Sequence, residues 1–185
     1  MERGGWAVRE KRLGPQDYSA RVAYRAPSRW YAWLNRHLGG ALARVGLLPS
    51  DVVSLDVVGR RSGAIRRTLV VLTHHRGSAY LVALAGESQW VRNVRAADGH
   101  AVLRRRSAHR VVLEELPEED RPPVLAAYLA QAARRGGAGA SARQAESYFG
   151  LPPHPTAEDL ARIAGFYPVF RVHSPAPTDR DGSSR

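Results

Sequence analysis

The fold is decided by residues 52–74, whose sequence is VVSLDVVGRRSGAIRRTLVVLTH. Two Val- and Leu-rich runs, Val52–Val58 and Arg66–His74, have the composition of β-strands and flank the turn-like segment Gly59–Gly63. A parallel crossover needs a dozen residues or more, so a connection this short predicts an antiparallel pair. The stretch therefore predicts a β-hairpin, to which the remaining strands are added.

Further strand-like runs follow along the chain, separated by short turns. They are Ala79–Ala85, Ala101–Arg104 running on to Arg110–Glu115, and Val169–His173. We expect a mainly β (α+β) fold, in which an antiparallel sheet large enough to curl is surrounded by peripheral helices. The pattern alone does not establish that this sheet closes into a barrel.

Hydrophobic periodicity and capping residues predict the helices. The segments are an amphipathic helix Ser28–Val45, a short helix Trp90–Ala97, a helix capped by Asp120 through Arg135, and one capped by Thr156 and Asp159 that ends at Gly165. Between the last two, Gly136–Ser141 is predicted to be an exposed flexible loop. Polar composition predicts flexible tails at 1–20 and 174–185, which leaves one domain at 21–173 that includes the amphipathic helix.

Composition narrows the functional classes. The chain has 185 residues and no cysteine, which excludes disulfides, thiolate metal sites and a cysteine nucleophile. No apolar signal segment opens the sequence, so we expect a cytoplasmic protein. The net charge of +11 comes almost entirely from arginine, since Lys11 is the only lysine. This excess suits an anionic partner, although arginines scattered over the surface would produce the same total.

The arginine turn, defined as residues 59–68 (GRRSGAIRRT), is the densest candidate site. Its glycines allow a tight turn and bring backbone amides close to an oxyanion, while guanidinium groups grip phosphate or carboxylate. The alternative is a basic surface hairpin without a ligand. The Gly-x4-Gly-Lys spacing of a Walker loop is absent.

Trp90 and Asn93 form a second candidate, three residues apart on one face of a predicted helix that follows a turn at Gly86. A large flat ring beside a side-chain amide suits a planar heterocycle. The alternative is a core tryptophan with an asparagine near a helix end.

Taken in order, Gly-Arg-Arg-Ser-Gly, Arg-Arg-Thr and Gly-x3-Trp-x2-Asn resemble the deazaflavin-dependent nitroreductase family. The resemblance runs from Val52 to Leu129, with a weaker echo at residues 167–170 (YPVF). It implies a split β-barrel that binds coenzyme F-420, an 8-hydroxy-5-deazaflavin with a phosphodiester and an oligoglutamate tail. It also implies an enzyme that transfers a hydride from the reduced cofactor to a nitro compound, an activated alkene or a quinone.

The resemblance assigns cofactor-binding roles by position. The phosphate and tail would be held by Gly59, Arg60, Arg61, Ser62, Gly63, Arg66 and Thr68, while Gly86, Trp90 and Asn93 would lie along the ring. The alternatives are an FMN-dependent relative of the same fold and a cofactor-binding protein without turnover.

Two departures from the family pattern concern the cofactor. Leu69 stands where many members have proline, and the turn before the tryptophan is shortened to residues 85–89 (AGESQ). Glu87 in that turn would place a negative charge near an anionic cofactor, unless it faces Arg60, Arg61 or the substrate.

Other residues leave alternatives open. Tyr148 is a candidate proton donor to the reduced substrate, with core packing as the alternative. Asp56 is either a solvent-facing residue, which we favour, or a partner for an arginine. His74 and His75 are adjacent on a strand and point to opposite faces, so we expect no metal site.

For partners, we expect a small-molecule substrate and a monomer or homodimer. Arginines at 104–106 and 110 could form a basic stripe, but strands almost without aromatics argue against specific nucleic-acid binding. The amphipathic helix with Trp30, Tyr31 and Trp33 has three interpretations: a lid, a substrate wall or a weak peripheral membrane contact.

Overall fold

The structure is a computed structural model that describes residues 50–174. The predicted amphipathic helix Ser28–Val45, the tail 1–20 and all of the tail 174–185 except Ser174 lie outside the described residues, so the domain limits stay predictions. Six strands are present within residues 50–174. They are β1 (Val52–Val58), β2 (Ile65–His75), β3 (Ser78–Val82), β4 (His100–Arg104), β5 (Ala108–Glu115) and β6 (Val169–His173).

The strands form one closed barrel in the order β1-β2-β3-β6-β5-β4, with every neighbouring pair antiparallel. The predicted hairpin is confirmed, with Val58 opposite Ile65 and Asp56 opposite Arg67. Closure comes from pairing β1 with β4, which places Asp56 opposite Val102. The predicted fold class is therefore confirmed, and so is the barrel that the resemblance implied.

Because successive side chains of a strand point to opposite faces, each strand has one set of residues in the barrel interior and another on the outer face. Every second residue of β1, namely Val53, Leu55 and Val57, is buried in an interior cluster that Leu81 and Phe170 also join. The outer face of β3 and β6 belongs to a second cluster, which the helices cover. Two packed apolar layers therefore share the same strands, which fixes the register of each.

Four α-helices accompany the barrel within residues 50–174. They are α1 (Gln89–Ala96), α2 (Pro122–Gly136), α3 (Ala138–Gln144) and α4 (Ala157–Ile163), with a π-helical turn at Ala145–Phe149 and short 3-10 turns at Glu118–Asp120 and Ala164–Phe166. Packing of α2 on the outer cluster is anchored by Phe149, whose ring meets Tyr128 and Tyr167 edge-on at 6.0 and 4.9 Å between centroids. Gln131 of α2 also donates a hydrogen bond to the Leu72 carbonyl at 2.8 Å.

Three predictions of secondary structure need correction. The strand predicted to reach Ala85 ends at Val82, because the residue facing Ala83 is Pro168, which has no amide to donate back, and Gly86 then turns the chain with φ of 61°. The predicted loop 136–141 largely forms α3, because only Gly137, at φ of 74°, interrupts the helix and alanines resume it. Asp120 does not cap α2, whose N-cap residue is Arg121, although Pro122 and Pro123 do occupy its first turn.

The capping box at Thr156 and Asp159 is confirmed, with both reciprocal hydrogen bonds formed. The favoured prediction that Asp56 faces solvent is wrong. Asp56 lies on the outer face of β1 but is only 4% exposed. Its carboxylate accepts from Arg67 Nε and Nη2 at 2.7 and 2.8 Å, and from Arg104 Nε at 2.8 Å. Sequence reasoning favoured solvent because it did not fix the hairpin register that places Arg67 opposite Asp56, and because it could not bring β4, and hence Arg104, beside β1.

The hydrogen bonds that Arg67 donates lower the pKa of Asp56. Burial of the carboxylate opposes this shift, and the hydrogen bond from Arg104 adds to it.

Two negative findings hold for residues 50–174. No helix there is long and apolar enough to cross a membrane. No cluster of three His, Cys, Asp or Glu side chains is placed to hold a metal ion.

Candidate functional site

The arginine turn is a compact loop stabilised by its own backbone. The Gly59 amide donates to the Ala64 carbonyl at 2.9 Å, and the Gly63 amide donates to the Gly59 carbonyl at 2.8 Å. Gly63 has φ of 66°, a conformation that strains other residues. A Cβ on Gly59 would lie 3.0 Å from the Ala64 carbonyl oxygen and from Arg66 Cγ. Both glycines are thus required by the turn itself.

Helix α1 lies over the end of the barrel where β3 ends and β4 begins. Its Val91 and Val94 are fully buried in the interior cluster. Trp90 is half-buried, and its ring lies 5.5 Å from that of Phe170 at a tilt of 56°. Since β1 runs antiparallel to β4, the arginine turn leaves the barrel at this same end. The structure thus gives Trp90 both a packing contact and an exposed part.

Arg60 joins the two candidate motifs, which lie about thirty residues apart in the chain. Its guanidinium donates through Nη1 to Asn93 Oδ1 and to Gln89 Oε1, both at 3.0 Å. Its backbone amide also points at Asn93 Oδ1, at 3.3 Å. Asn93 is only 5% exposed, so this contact lies beneath the surface. The structure therefore brings together the arginine turn and the Trp90–Asn93 pair, as the sequence analysis predicted.

Gln89 was not among the residues predicted from the sequence. Its position four residues before Asn93, on the same helix face, was the available signal. Its oxygen completes a pair of neutral acceptors around one guanidinium nitrogen.

Three of the turn's four arginines carry positive charge without a compensating carboxylate, whereas Arg67 pairs with Asp56. Arg66 donates to the Ser62 hydroxyl at 3.2 Å, and Arg61 is exposed. Within residues 50–174, neither these arginines nor Arg60 form an ion pair. The amides of Gly59, Arg60, Ser62 and Gly63 all donate within the protein. An anion at this turn would therefore be bound mainly by guanidinium groups, and less by backbone amides than the glycine pattern suggested.

Thr68 and Gly86 complete the predicted set. Thr68 is half-buried and pairs with Leu55, so it stands on the interior side of β2, two residues from Arg66. Gly86 is buried at the turn that leads into α1 and donates its amide to the Ala83 carbonyl at 2.9 Å. It shapes the path of the chain into the helix that carries Trp90.

Glu87 lies on the other side of α1 from the arginine turn. Its carboxylate accepts from Arg95 Nη1 at 2.8 Å, while Arg95 Nε and Nη2 reach Glu115 at 2.6 and 2.8 Å. Arg121 contacts Glu115 from the far side at 3.1 Å. The hydrogen bonds that Arg95 donates to Glu115, and then those to Glu87, raise the pKa of Arg95. Glu87 is thus neutralised by Arg95, a partner the sequence analysis did not consider.

Tyr148 stands apart from these residues. It lies in the π-helical turn with 46% of its surface exposed, and its backbone carbonyl accepts a 2.7 Å hydrogen bond from the Tyr167 hydroxyl. No hydrogen bond or ring contact found within residues 50–174 joins its side chain to the arginine turn or α1. Its predicted role as proton donor stays a prediction.

Comparison with known proteins gives the family. A family described as F420H(2)-dependent quinone reductase matches residues 27–144, well over half of the chain. No curated protein matches the sequence significantly.

Three solved structures are similar in shape. An F420-H2 dependent reductase has 18% identity and a TM-score of 0.44, covering 68% of this chain and 96% of its own. A structure described as a domain-swapped dimer has 17% identity and a TM-score of 0.45, covering 86% and 100%. A conserved hypothetical protein from Mycobacterium tuberculosis has 16% identity and a TM-score of 0.41, covering 78% and 92%.

TM-scores below 0.5 carry no weight for function, whereas the family match spans the arginine turn, α1 and α2. It confirms the resemblance drawn from the motifs, including coenzyme F-420 as the cofactor. The chain belongs to the F420H(2)-dependent quinone reductase family.

Proposed function

We propose that the reduced cofactor binds across the arginine turn and α1, at the end of the barrel, and that the acceptor meets it there. Family membership makes the chain an oxidoreductase that uses reduced coenzyme F-420. The acceptor is a small organic molecule of the quinone, nitro or activated-alkene class. The location of the site and the role of each residue in it are the proposal.

The contact between Arg60 and the two amide oxygens of α1 carries this proposal. It joins, in one folded site, the segment suited to anions and the segment suited to a flat ring. Neutral acceptors hold the guanidinium in place and leave its charge uncompensated. A bound anion would therefore gain from both charge and preorganisation.

The residues present fit the cofactor. Its phosphodiester and glutamate tail are anionic, and Arg60, Arg61 and Arg66 of the arginine turn offer cationic groups that no carboxylate of residues 50–174 compensates. We assign phosphate and tail binding to Gly59, Arg60, Arg61, Ser62, Gly63, Arg66 and Thr68. Gly86, Trp90 and Asn93 are assigned to the ring end, with Trp90 offering the flat surface.

The cofactor, when bound, supplies the hydride, so the protein's part is to bind, orient and shield. Preorganised arginines fix the anionic end, and the half-buried indole of Trp90 limits where the ring can lie. Tyr148 is proposed as the proton donor to the reduced acceptor. Its 46% exposure supports this role, because the hydroxyl needs access to the substrate.

The test is a side-by-side fluorescence titration of the full chain with coenzyme F-420 and with FMN, followed by turnover with a short-chain quinone and a nitro compound. We expect micromolar or tighter F-420 binding, on the order of −8 kcal/mol or better. FMN should bind more weakly. Equal or tighter FMN binding would contradict the assignment of the arginine turn to the deazaflavin.

A further inference from the structure

A cavity lies between α2, α3 and the outer face of β2, away from the proposed cofactor site. We call it the α2–α3 cavity; its volume is about 200 Å³. On its β2 side stands Val71, which packs with the outer cluster. Thr68, the last residue of the arginine turn, comes three positions earlier and so points to the opposite face of the strand. The cavity and the cofactor site are therefore on different sides of the barrel wall.

Most of the wall of the α2–α3 cavity is apolar. Val71, Ala132 and Ala140 contribute aliphatic groups, and Tyr128 adds an aromatic side chain. In other proteins an apolar cavity of about 150 Å³ takes up benzene. The α2–α3 cavity, at about 200 Å³, can therefore hold one aromatic ring with a small substituent.

Gln144 on α3 places a side-chain amide in this apolar wall. Its Oε1 is buried without a donor, and its Nε2 has no acceptor within residues 50–174. An unsatisfied buried acceptor costs folding free energy, so it marks the place of a water or a ligand. A water would find few polar partners in such a wall. A second amide matches both atoms, because it offers one donor and one acceptor in the same plane.

The charged groups beside the cavity compensate each other. Arg135 lines the cavity, and its Nη2 forms an ion pair with the carboxylate of Asp51. Gln131 Nε2 donates to the same carboxylate. Arg135 and Gly136 are exposed, so the cavity opens to solvent at the C-terminal end of α2. A neutral ligand can therefore enter without leaving a charge unpaired, whereas a carboxylate would meet the charge of Asp51.

We infer that the α2–α3 cavity is a second ligand site, which binds a small aromatic ring bearing a primary carboxamide. The ring fills the apolar part of the cavity, and the carboxamide pairs with the side-chain amide of Gln144 through two hydrogen bonds. The inference does not depend on the proposed function, because no residue that lines the cavity belongs to the arginine turn or to α1.

The test is a titration of the full chain with three ring compounds of nearly equal size, followed by the amide NMR signals of the protein. Benzamide carries both the donor and the acceptor, acetophenone keeps only the acceptor, and benzoate replaces the donor with a charge. We expect benzamide to bind with a Kd of about 1 mM or tighter, as suits a ligand of this size. The other two should bind about tenfold more weakly, because Gln144 Oε1 then stays unsatisfied.

Two variants locate the ring. Gln144→Ala should make benzamide bind no better than acetophenone, and it should not lower the melting temperature, because it removes an unsatisfied acceptor. Ala140→Leu fills the cavity and should weaken all three compounds by about tenfold or more. Ala130→Leu, the same change at an exposed position of α2, is the matched control and should bind as the parent does. If Ala140→Leu proves unstable, Gln144→Ala decides alone.

The inference is overturned if the parent binds benzamide and acetophenone equally, or if the preference for benzamide persists in Gln144→Ala. Binding that Ala140→Leu leaves unchanged, or that excess coenzyme F-420 abolishes, assigns the ring to another site and overturns it too. Absence of binding by all three compounds leaves the cavity to water. None of these results touches the proposed function, which the titration with F-420 and FMN decides.

Discussion

The two sides of helix α1 hold arginines in opposite ways. On one side, Arg95 lies between the carboxylates of Glu87 and Glu115. On the other, Arg60 is held by the amide oxygens of Gln89 and Asn93. Both guanidinium groups are fixed by hydrogen bonds of 2.6–3.0 Å, but only the charge of Arg95 is compensated.

The difference separates a structural arginine from one available to a ligand. Carboxylates orient a guanidinium and neutralise it, so an incoming anion gains little from it. Amide oxygens orient it and leave its charge in place. The first arrangement ties α1 to β5, and the second prepares a site for a phosphate. Substitutions at four places test this contrast, from the largest expected effect to the smallest.

The largest effect is expected from removing the uncompensated charge. The double variant Arg60→Ala/Arg61→Ala should weaken F-420 binding by roughly 1.5 to 3 kcal/mol per lost charge-assisted contact, or about 3 to 6 kcal/mol in total. Fluorescence titration measures this loss. Arg134→Ala/Arg143→Ala, which removes two exposed helical arginines that form no ion pair within residues 50–174, is the control and should bind normally. Unchanged affinity in the turn variant would reduce the arginine turn to a basic hairpin.

Trp90 lies between the two sides and should show a mixed effect. Trp90→Ala should lower the free energy of unfolding by about 2 to 3 kcal/mol, below the range for a fully buried tryptophan because part of the ring is exposed. It should also cost about 1 to 2 kcal/mol of cofactor affinity. Trp90→Phe should recover part of both. The variants are compared by urea unfolding and titration; normal affinity in the folded fraction of Trp90→Ala would refute the cofactor role.

Asn93→Asp converts the amide side of α1 into a carboxylate side. The acceptor for the Arg60 amide and guanidinium is kept, so stability should change little, but the new charge compensates Arg60. We expect cofactor affinity to fall by about 1 to 2 kcal/mol. Asn93→Ala, which loses the acceptor, should lower stability as well. Affinity and melting temperature are measured on both variants, and tighter binding by Asn93→Asp would contradict the role of uncompensated charge.

The smallest effect is expected at the compensated arginine. Arg95→Ala removes two partly exposed ion pairs, each worth at most about 1 kcal/mol. The free energy of unfolding should therefore fall by about 1 kcal/mol. Cofactor affinity should stay within error of the parent. A binding loss as large as that of the Arg60→Ala/Arg61→Ala variant would erase the distinction between the two sides.

Features that depend on residues close together in the sequence were predictable. The hairpin 52–74 followed from its composition and short turn, and the capping box at Thr156 from two residues three apart. Two of the failures occurred where a partner on another strand decided the outcome. Strand β3 was predicted too long because the residue facing Ala83 is Pro168, which has no amide to donate, and Asp56 was misassigned because its burial depends on Arg67 across the hairpin and on Arg104, 48 residues away.

The sequence by itself determined the strand-forming runs, the arginine turn, the Trp90–Asn93 pair and the family to which their order belongs. These depend on residue identities and spacings within a few turns of chain. Only the tertiary structure decided that β1 pairs with β4 to close the barrel, that Arg60 meets Asn93, and that Glu87 faces Arg95. These contacts join strand edges or charged groups that are 30 or more residues apart in the sequence, or that lie across one helix. A local sequence pattern does not specify which of them come together.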